Sequence, residues 1–179
     1  MKIKLTPQLA YIIGLWKARR TKEGIGIEGN RGICEVFLRE CLSTGIAQPD
    51  KVKFIEPKVD EKMDFSQGRL VKVRREREDC KVYFYHSAYR AFFDGVLKNE
   101  LELFRYKNEY AASFIAGIYD GNGGVGKGNK LHYFFGNRQD EMLLLRLGMR
   151  MKCEKKTVVF LNGAEFDAFV KPSLKFARN

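Results

Sequence analysis

An α+β fold with internal two-fold pseudo-symmetry is what this 179-residue sequence predicts, and three observations carry it. A helix with small residues at every fourth position occurs twice. Each copy is followed by a short strand, the tripeptide Gly-Asn-Arg and an amphipathic helix. Each half then continues into strands and a closing helix. The expected division is 1–105 and 106–179 within one compact monomer, with the two leading helices meeting on the pseudo-axis.

The first leading helix opens at Thr6-Pro7, with Thr as N-cap and Pro at the first helical position. Leu9, Ile12, Ile13 and Trp16 follow at helical spacing. NEYAASFIAGIYDGNGG (108–124) has the same character. Aligning Gly14 with Gly117 gives an offset of 103 (117 minus 14), and it brings Ala10, Gly14 and Ala18 onto Ser113, Gly117 and Gly121. Isolated glycines only weaken helices. Three matched small positions instead form two shallow ridges on which helix backbones can approach closely.

Next, GIGIEGNRGICEVFLRECLSTGIA (24–47) lines up with KLHYFFGNRQDEMLLLRLGMRMKC (130–153). Gly29-Asn30-Arg31 and Gly136-Asn137-Arg138 are offset by 107 (136 minus 29), so the second copy holds four extra residues. Strands are expected in 51–59, 69–76 and 80–87, with a helix over 89–99. The second half repeats this in shorter form, 155–163 and then 164–176. Alternation in 69–76 and 80–87 predicts paired strands. Val71 and Val73 would face inward with Lys72 and Arg74 outward, and Lys81, Tyr83 and Tyr85 would lie opposite Val82 and Phe84.

Lys and Arg total 33 against 22 Asp and Glu, a net charge of +11. This favours polyanionic partners: DNA, RNA or an anionic membrane surface. With 45% hydrophobic residues the chain is globular, and no apolar run reaches the length of a spanning helix. The N-terminal MKIKLTPQLAYIIGLWKARR is interrupted by Gln8, Tyr11 and Trp16 and is expected to be mature structure. Cys34, Cys41, Cys80 and Cys153 form no C-x-x-C pair, and His86 and His132 are remote in sequence, so no zinc site is expected. Cys34 and Cys41 share a helix face and are expected to be buried free thiols of a cytoplasmic protein.

The repeat resembles the LAGLIDADG homing endonuclease family in its single-chain, two-motif form. The motif copies are Ile12-Ile13-Gly14-Leu15-Trp16-Lys17-Ala18-Arg19-Arg20 and Ile115-Ala116-Gly117-Ile118-Tyr119-Asp120-Gly121-Asn122-Gly123. The resemblance implies two αββαββα-type halves. The motif helices would form the central interface, and two antiparallel sheets would form a saddle along the DNA major groove. It also implies that the last acid of each motif binds divalent metal between the scissile phosphates. Here those positions are Arg19 and Asn122. Mg²⁺ needs hard anionic oxygens; a guanidinium repels it and an amide carbonyl is a poor substitute. No metal and no catalytic residue are therefore expected. Asp120, two positions earlier, is the fallback acid, and Mg²⁺ would be the cofactor if the chain were an active nuclease.

Arg19 can instead anchor a phosphate, or Arg19 and Arg20 can be solvated cations at a helix C-terminus. The expected nucleic-acid contacts are Arg19, Arg20, Lys22, Lys72, Arg74, Lys81, Tyr83, Tyr85, Lys127 and Lys130. The segments after the motifs, 19–23 and 124–129, are short, so the first strand of each half is expected to be reduced or missing. That favours backbone-dominated binding or RNA recognition of the maturase kind. Three readings compete: a non-cleaving nucleic-acid binder, a metal-dependent endonuclease with relocated acids, and a scaffold for a protein partner.

Overall fold

The computed structural model describes residues 3–57, 59–66, 69–76, 79–126 and 131–176, and over 59–76 it describes the main chain alone. Helix α1 (Pro7–Arg19) begins where Thr6 accepts a hydrogen bond from the amide of Leu9, with Pro7 in the first turn. Strand β1 (Ile25–Gly29) leads into α2 (Arg31–Ser43), whose N-cap is Asn30. Then follow β2 (Lys53–Ile55), β3 (Val59–Ser66), β4 (Arg69–Glu76), β5 (Cys80–Phe84), α3 (Ser87–Lys98) and the short α4 (Glu100–Leu103). The second series is α5 (Glu109–Asn122), β6 (Gly123–Val125), β7 (His132–Phe135), α6 (Arg138–Arg146), β8 (Met151–Glu154), β9 (Thr157–Phe160) and α7 (Gly163–Val170). Both asparagines of the Gly-Asn-Arg repeat cap a helix. Asn30 accepts from the amide of Ile33, and Asn137 forms a reciprocal capping box with Asp140.

All strand pairs are antiparallel. They make a three-stranded sheet in the order β1-β5-β2, a two-stranded β3-β4 ribbon and a four-stranded sheet in the order β6-β7-β9-β8. The later half follows the αββαββα order from α5 to α7. In the earlier half the strand expected after the first motif is a single bridge, Arg20 to Ile27. Its counterpart β6 has three residues.

Three local expectations are corrected. Residues 69–76 were expected to pair with 80–87. Instead β4 pairs along its length with β3, from Val59 opposite Glu76 to Ser66 opposite Arg69, and β5 lies between β1 and β2. The cause is strand β3, which the weak alternation of VDEKMDFS conceals. The expected strand 51–59 divides at Glu56-Pro57, because proline cannot donate to a ladder. In the closing segment α7 ends at Val170; Lys171–Ser173 forms a 3₁₀ turn around Pro172, and 174–176 runs without helix.

The core is organised by α1 and α5. Leu9 to Trp16 and Ala111 to Gly121 are buried without interruption, which marks both helices as central. A Cβ on Gly14 would meet the carbonyl oxygen of Phe114 at 2.1 Å, and one on Gly117 would meet that of Tyr11 at 2.2 Å. Their next neighbours are Ile118 and Leu15 respectively. Tyr11 and Phe114, like Leu15 and Ile118, are equivalent under the offset of 103, so each glycine receives the matching stretch of the other helix. Gly121 lies against the Cβ of Ala18, and Ala10 and Ser113 are buried in the same helices. Among the described residues no helix is long and apolar enough to cross a membrane.

Candidate functional site

The C-terminal tips of α1 and α5 carry the two positions singled out in the repeat. The Nε of Arg19 donates to the carbonyl oxygen of Gly121, at the end of the other helix. The Nδ2 of Asn122 donates at 2.8 Å to the carbonyl oxygen of Phe135 in β7. Its Oδ1 is buried with no hydrogen-bond partner among the described residues.

Each tip opens on a cavity, and the two cavities are related by the repeat. One, about 150 Å³, is lined by Lys17, Ala18, Asn122, Asn137 and Asp140 among others. The other, about 330 Å³, is lined by Asp120, Gly121, Arg19, Asn30 and Ile33 among others. These five pairs match in order under the offsets of 103 and 107. Position by position, the linings differ in charge.

The residue two places before each tip reaches across to the opposite half, and the two crossings have opposite polarity. The ammonium of Lys17 is 2.7 Å from Glu100 and 2.7 Å from Asp140, both nearly buried. Burial pushes the Glu100 carboxyl above its ordinary range despite the opposing pull of Lys17. In the mirror position, Oδ2 of Asp120 accepts from the Tyr11 hydroxyl at 2.7 Å and from the amides of Lys175 and Phe176 at 2.9 and 3.1 Å. Burial first, then the charge of Asp120, raises the Tyr11 phenol well above its ordinary value. The strap 174–176 is fastened a second time by Lys175, whose ammonium meets Glu40. Glu40 is raised by burial, but Lys175, Gln8 and Arg39 outweigh this and hold it below the usual carboxylate range.

These donors do not suit a hard divalent cation. One tip offers a guanidinium. The other offers a neutral oxygen in a cavity whose carboxylate, Asp140, is already paired with the Lys17 ammonium. Among the described residues no three His, Cys, Asp or Glu side chains cluster to hold a metal. The cysteines are free: Cys34, Cys41 and Cys80 are buried and Cys153 is exposed. Burial pushes the Cys34 thiol up to about 12, so it stays protonated near neutrality.

The sheet faces complete the site. In β5, Cys80, Val82 and Phe84 are buried, while Lys81 and Tyr83 are half-buried on the other face; Tyr85, just beyond the strand, is exposed. Lys81 is held by Glu23 at 3.1 Å and approaches Glu28 at 3.9 Å. In β7, Phe134 is buried and Tyr133 and Phe135 lie on the opposite face, next to Val159 and Thr157 of β9.

No protein-family model and no curated protein matches the sequence. Solved structures do match. I-DmoI in complex with DNA and Mn is 16% identical with a TM-score of 0.54, over 96% of this chain and 98% of that one. An I-DmoI variant with its target DNA and Mg is 14% identical with a TM-score of 0.55, over 92% and 96%. Mesophilic variants of I-DmoI give 12% and 0.53 over 86% and 81%. In fold, the chain resembles a single-chain LAGLIDADG homing endonuclease.

Set on the LAGLIDADG framework, the candidate residues fall into groups. Arg19 caps the tip of α5, and Arg20 stacks over the Trp16 ring at 4.2 Å while pairing with Asp94 at 3.3 Å. Lys22 is exposed in the turn between α1 and β1. Lys81, Tyr83 and Tyr85 share one sheet face. Lys72 and Arg74 belong to β4, with side chains outside the described residues, and Lys127 and Lys130 lie outside them altogether. Sequence reasoning passed over Tyr133 and Phe135, because His-Tyr-Phe-Phe reads as a continuous apolar run with no visible outward parity. It also passed over Lys17, Glu100 and Asp140, whose association rests on contacts between residues up to 123 apart.

Proposed function

We propose that this chain binds nucleic acid through its two sheets and does not cleave it. The observation that carries the reading is the state of the helix tips. Where the LAGLIDADG resemblance puts metal-binding acids, Arg19 and Asn122 instead hold main-chain carbonyls of Gly121 and Phe135. A metal-assisted attack on a phosphodiester needs anionic ligands to hold the ion and acidify its water, and neither residue supplies one. The fallback acid, Asp120, is 4% exposed and its Oδ2 is committed to Tyr11 and the C-terminal strap. Binding is supported by the net charge of +11 and by the open sheet faces. I-DmoI, similar in fold, is described in complex with its target DNA. The guanidinium of Arg19, at the rim of its cavity, would meet a phosphate.

The test is a binding titration of the purified chain against labelled nucleic acids at two salt concentrations. Affinity should fall steeply with salt, with log K dropping by about 0.9 per phosphate neutralised on a duplex. Salt-independent association, or none, would favour a protein-docking scaffold.

A further inference from the structure

Resting on that nucleic-acid reading, we propose that the open sheet faces hold a single strand with unpaired bases, stacked on Tyr83, Tyr85, Tyr133 and Phe135. Each sheet presents an aromatic pair on the face away from the helices. The Tyr83 and Tyr85 rings are 5.8 Å apart at 84°, and the Tyr133 and Phe135 rings are 6.0 Å apart at 83°. Tyr85 is 64% exposed and Phe135 55%. In both sheets the tyrosine stands beside a glycine of the neighbouring strand, Gly26 opposite Tyr83 and Gly124 opposite Tyr133. Side chains there would collide with the tyrosines: a Cβ on Gly26 would meet the Cβ of Tyr83 at 2.3 Å, and one on Gly124 the Tyr133 hydroxyl at 2.7 Å. The glycines therefore leave the rings without a competing neighbour on that side.

The chemistry of the face selects the ligand. A duplex is read in its grooves by hydrogen-bonding groups, and its base faces are hidden in the stack. Here two of the cations on these faces already have carboxylate partners. Lys81 holds Glu23, and Lys152 holds Glu154 at 2.6 Å. Open aromatic rings beside cations are instead the equipment of single-strand binders, in which bases stack and the backbone follows positive charge. The cations are in place: Lys53 lies over the Tyr83 ring at 5.8 Å, and Arg19 and Tyr133 line the same cavity.

The experiment uses fluorescence anisotropy on the full chain with three probes of about twelve units, within the span such surfaces cover: oligothymidylate, oligouridylate and a mixed-sequence DNA duplex. Both single strands should bind more tightly than the duplex, and similarly to each other, since stacking reads the base face and not the sugar. The double variant Tyr85→Ala/Phe135→Ala should lose roughly 10-fold or more on single strands, while Tyr85→Phe stays within about twofold. Both rings are exposed, so circular dichroism and melting of the variant should match the parent. Lys22→Glu should weaken all three probes alike, which separates charge from stacking. Tighter duplex binding, or undiminished single-strand binding by the double variant, overturns this proposal and leaves the nucleic-acid reading standing. Failure to bind any probe overturns both.

Discussion

Gly14 and Gly117 face main-chain atoms, which cannot rotate away as a side chain would. A Cβ at Gly117 would lie 2.2 Å from the Tyr11 oxygen, so Gly117→Val must push the helix axes apart. The expected cost exceeds about 3 kcal/mol, beyond ordinary overpacking. Gly95 is the control: a Cβ there meets nothing within 4 Å, and Gly95→Ala in α3 should gain about 0.5–1 kcal/mol. Urea unfolding midpoints read both. Tyr11 supplies a second test at this scale. Its phenol is raised in the folded state, so the unfolded chain loses this proton first. The stabilisation is complete below the ordinary tyrosine value of about 10 and is lost as pH rises beyond it. Between pH 10 and 11 the parent should lose roughly 1 kcal/mol more than Tyr11→Phe, because one proton contributes up to about 1.4 kcal/mol per pH unit. Equal slopes would mean that burial beside the Asp120 carboxylate does not hold the phenol protonated.

Among the elements, the crossings between halves matter most. Lys17 stands between two nearly buried carboxylates, so Lys17→Met leaves like charges facing each other and should cost about 3–5 kcal/mol near neutral pH. Glu100 is raised in the fold, so it favours the protonated state there. The penalty of Lys17→Met should therefore shrink as pH falls through the acid range and Glu100 takes its proton. Chemical denaturation at pH 8 and pH 5 measures the difference. This crossing was illegible in the sequence, because Lys17 meets residues 83 and 123 positions away. The leading helices, the Thr6 cap and the Gly-Asn-Arg turns were legible, since each depends on neighbours within four residues. The β3–β4 ribbon fell between. Its RLVKVRRE strand alternates clearly, but the partner VDEKMDFS is dominated by charged residues and carries no such signal. The ribbon's eight-residue strands extend roughly 25 Å.

For the whole molecule, the two-fold repeat explains both what is retained and what has diverged. Packing positions keep their equivalence: glycine against main chain, asparagine at helix caps, and a cavity at each tip. Charge does not. One crossing uses a half-buried cation and the other a buried anion, and the tips hold arginine and asparagine. Small residues and caps show in a sequence as residue types, whereas the meaning of a charge depends on its partner across the pseudo-axis. The candidate site was thus visible by position, at Arg19, Asn122 and Asp120, but its internal bonding was not. The measurement that bears most directly on the account is a cleavage assay, with purified chain, single- and double-stranded substrates, and Mg²⁺ or Mn²⁺ supplied. The account predicts bound but intact nucleic acid, with strand breaks no more frequent than in metal-free controls. Metal-dependent breaks that vanish in Asp120→Asn would contradict it and place the working acid at the strap.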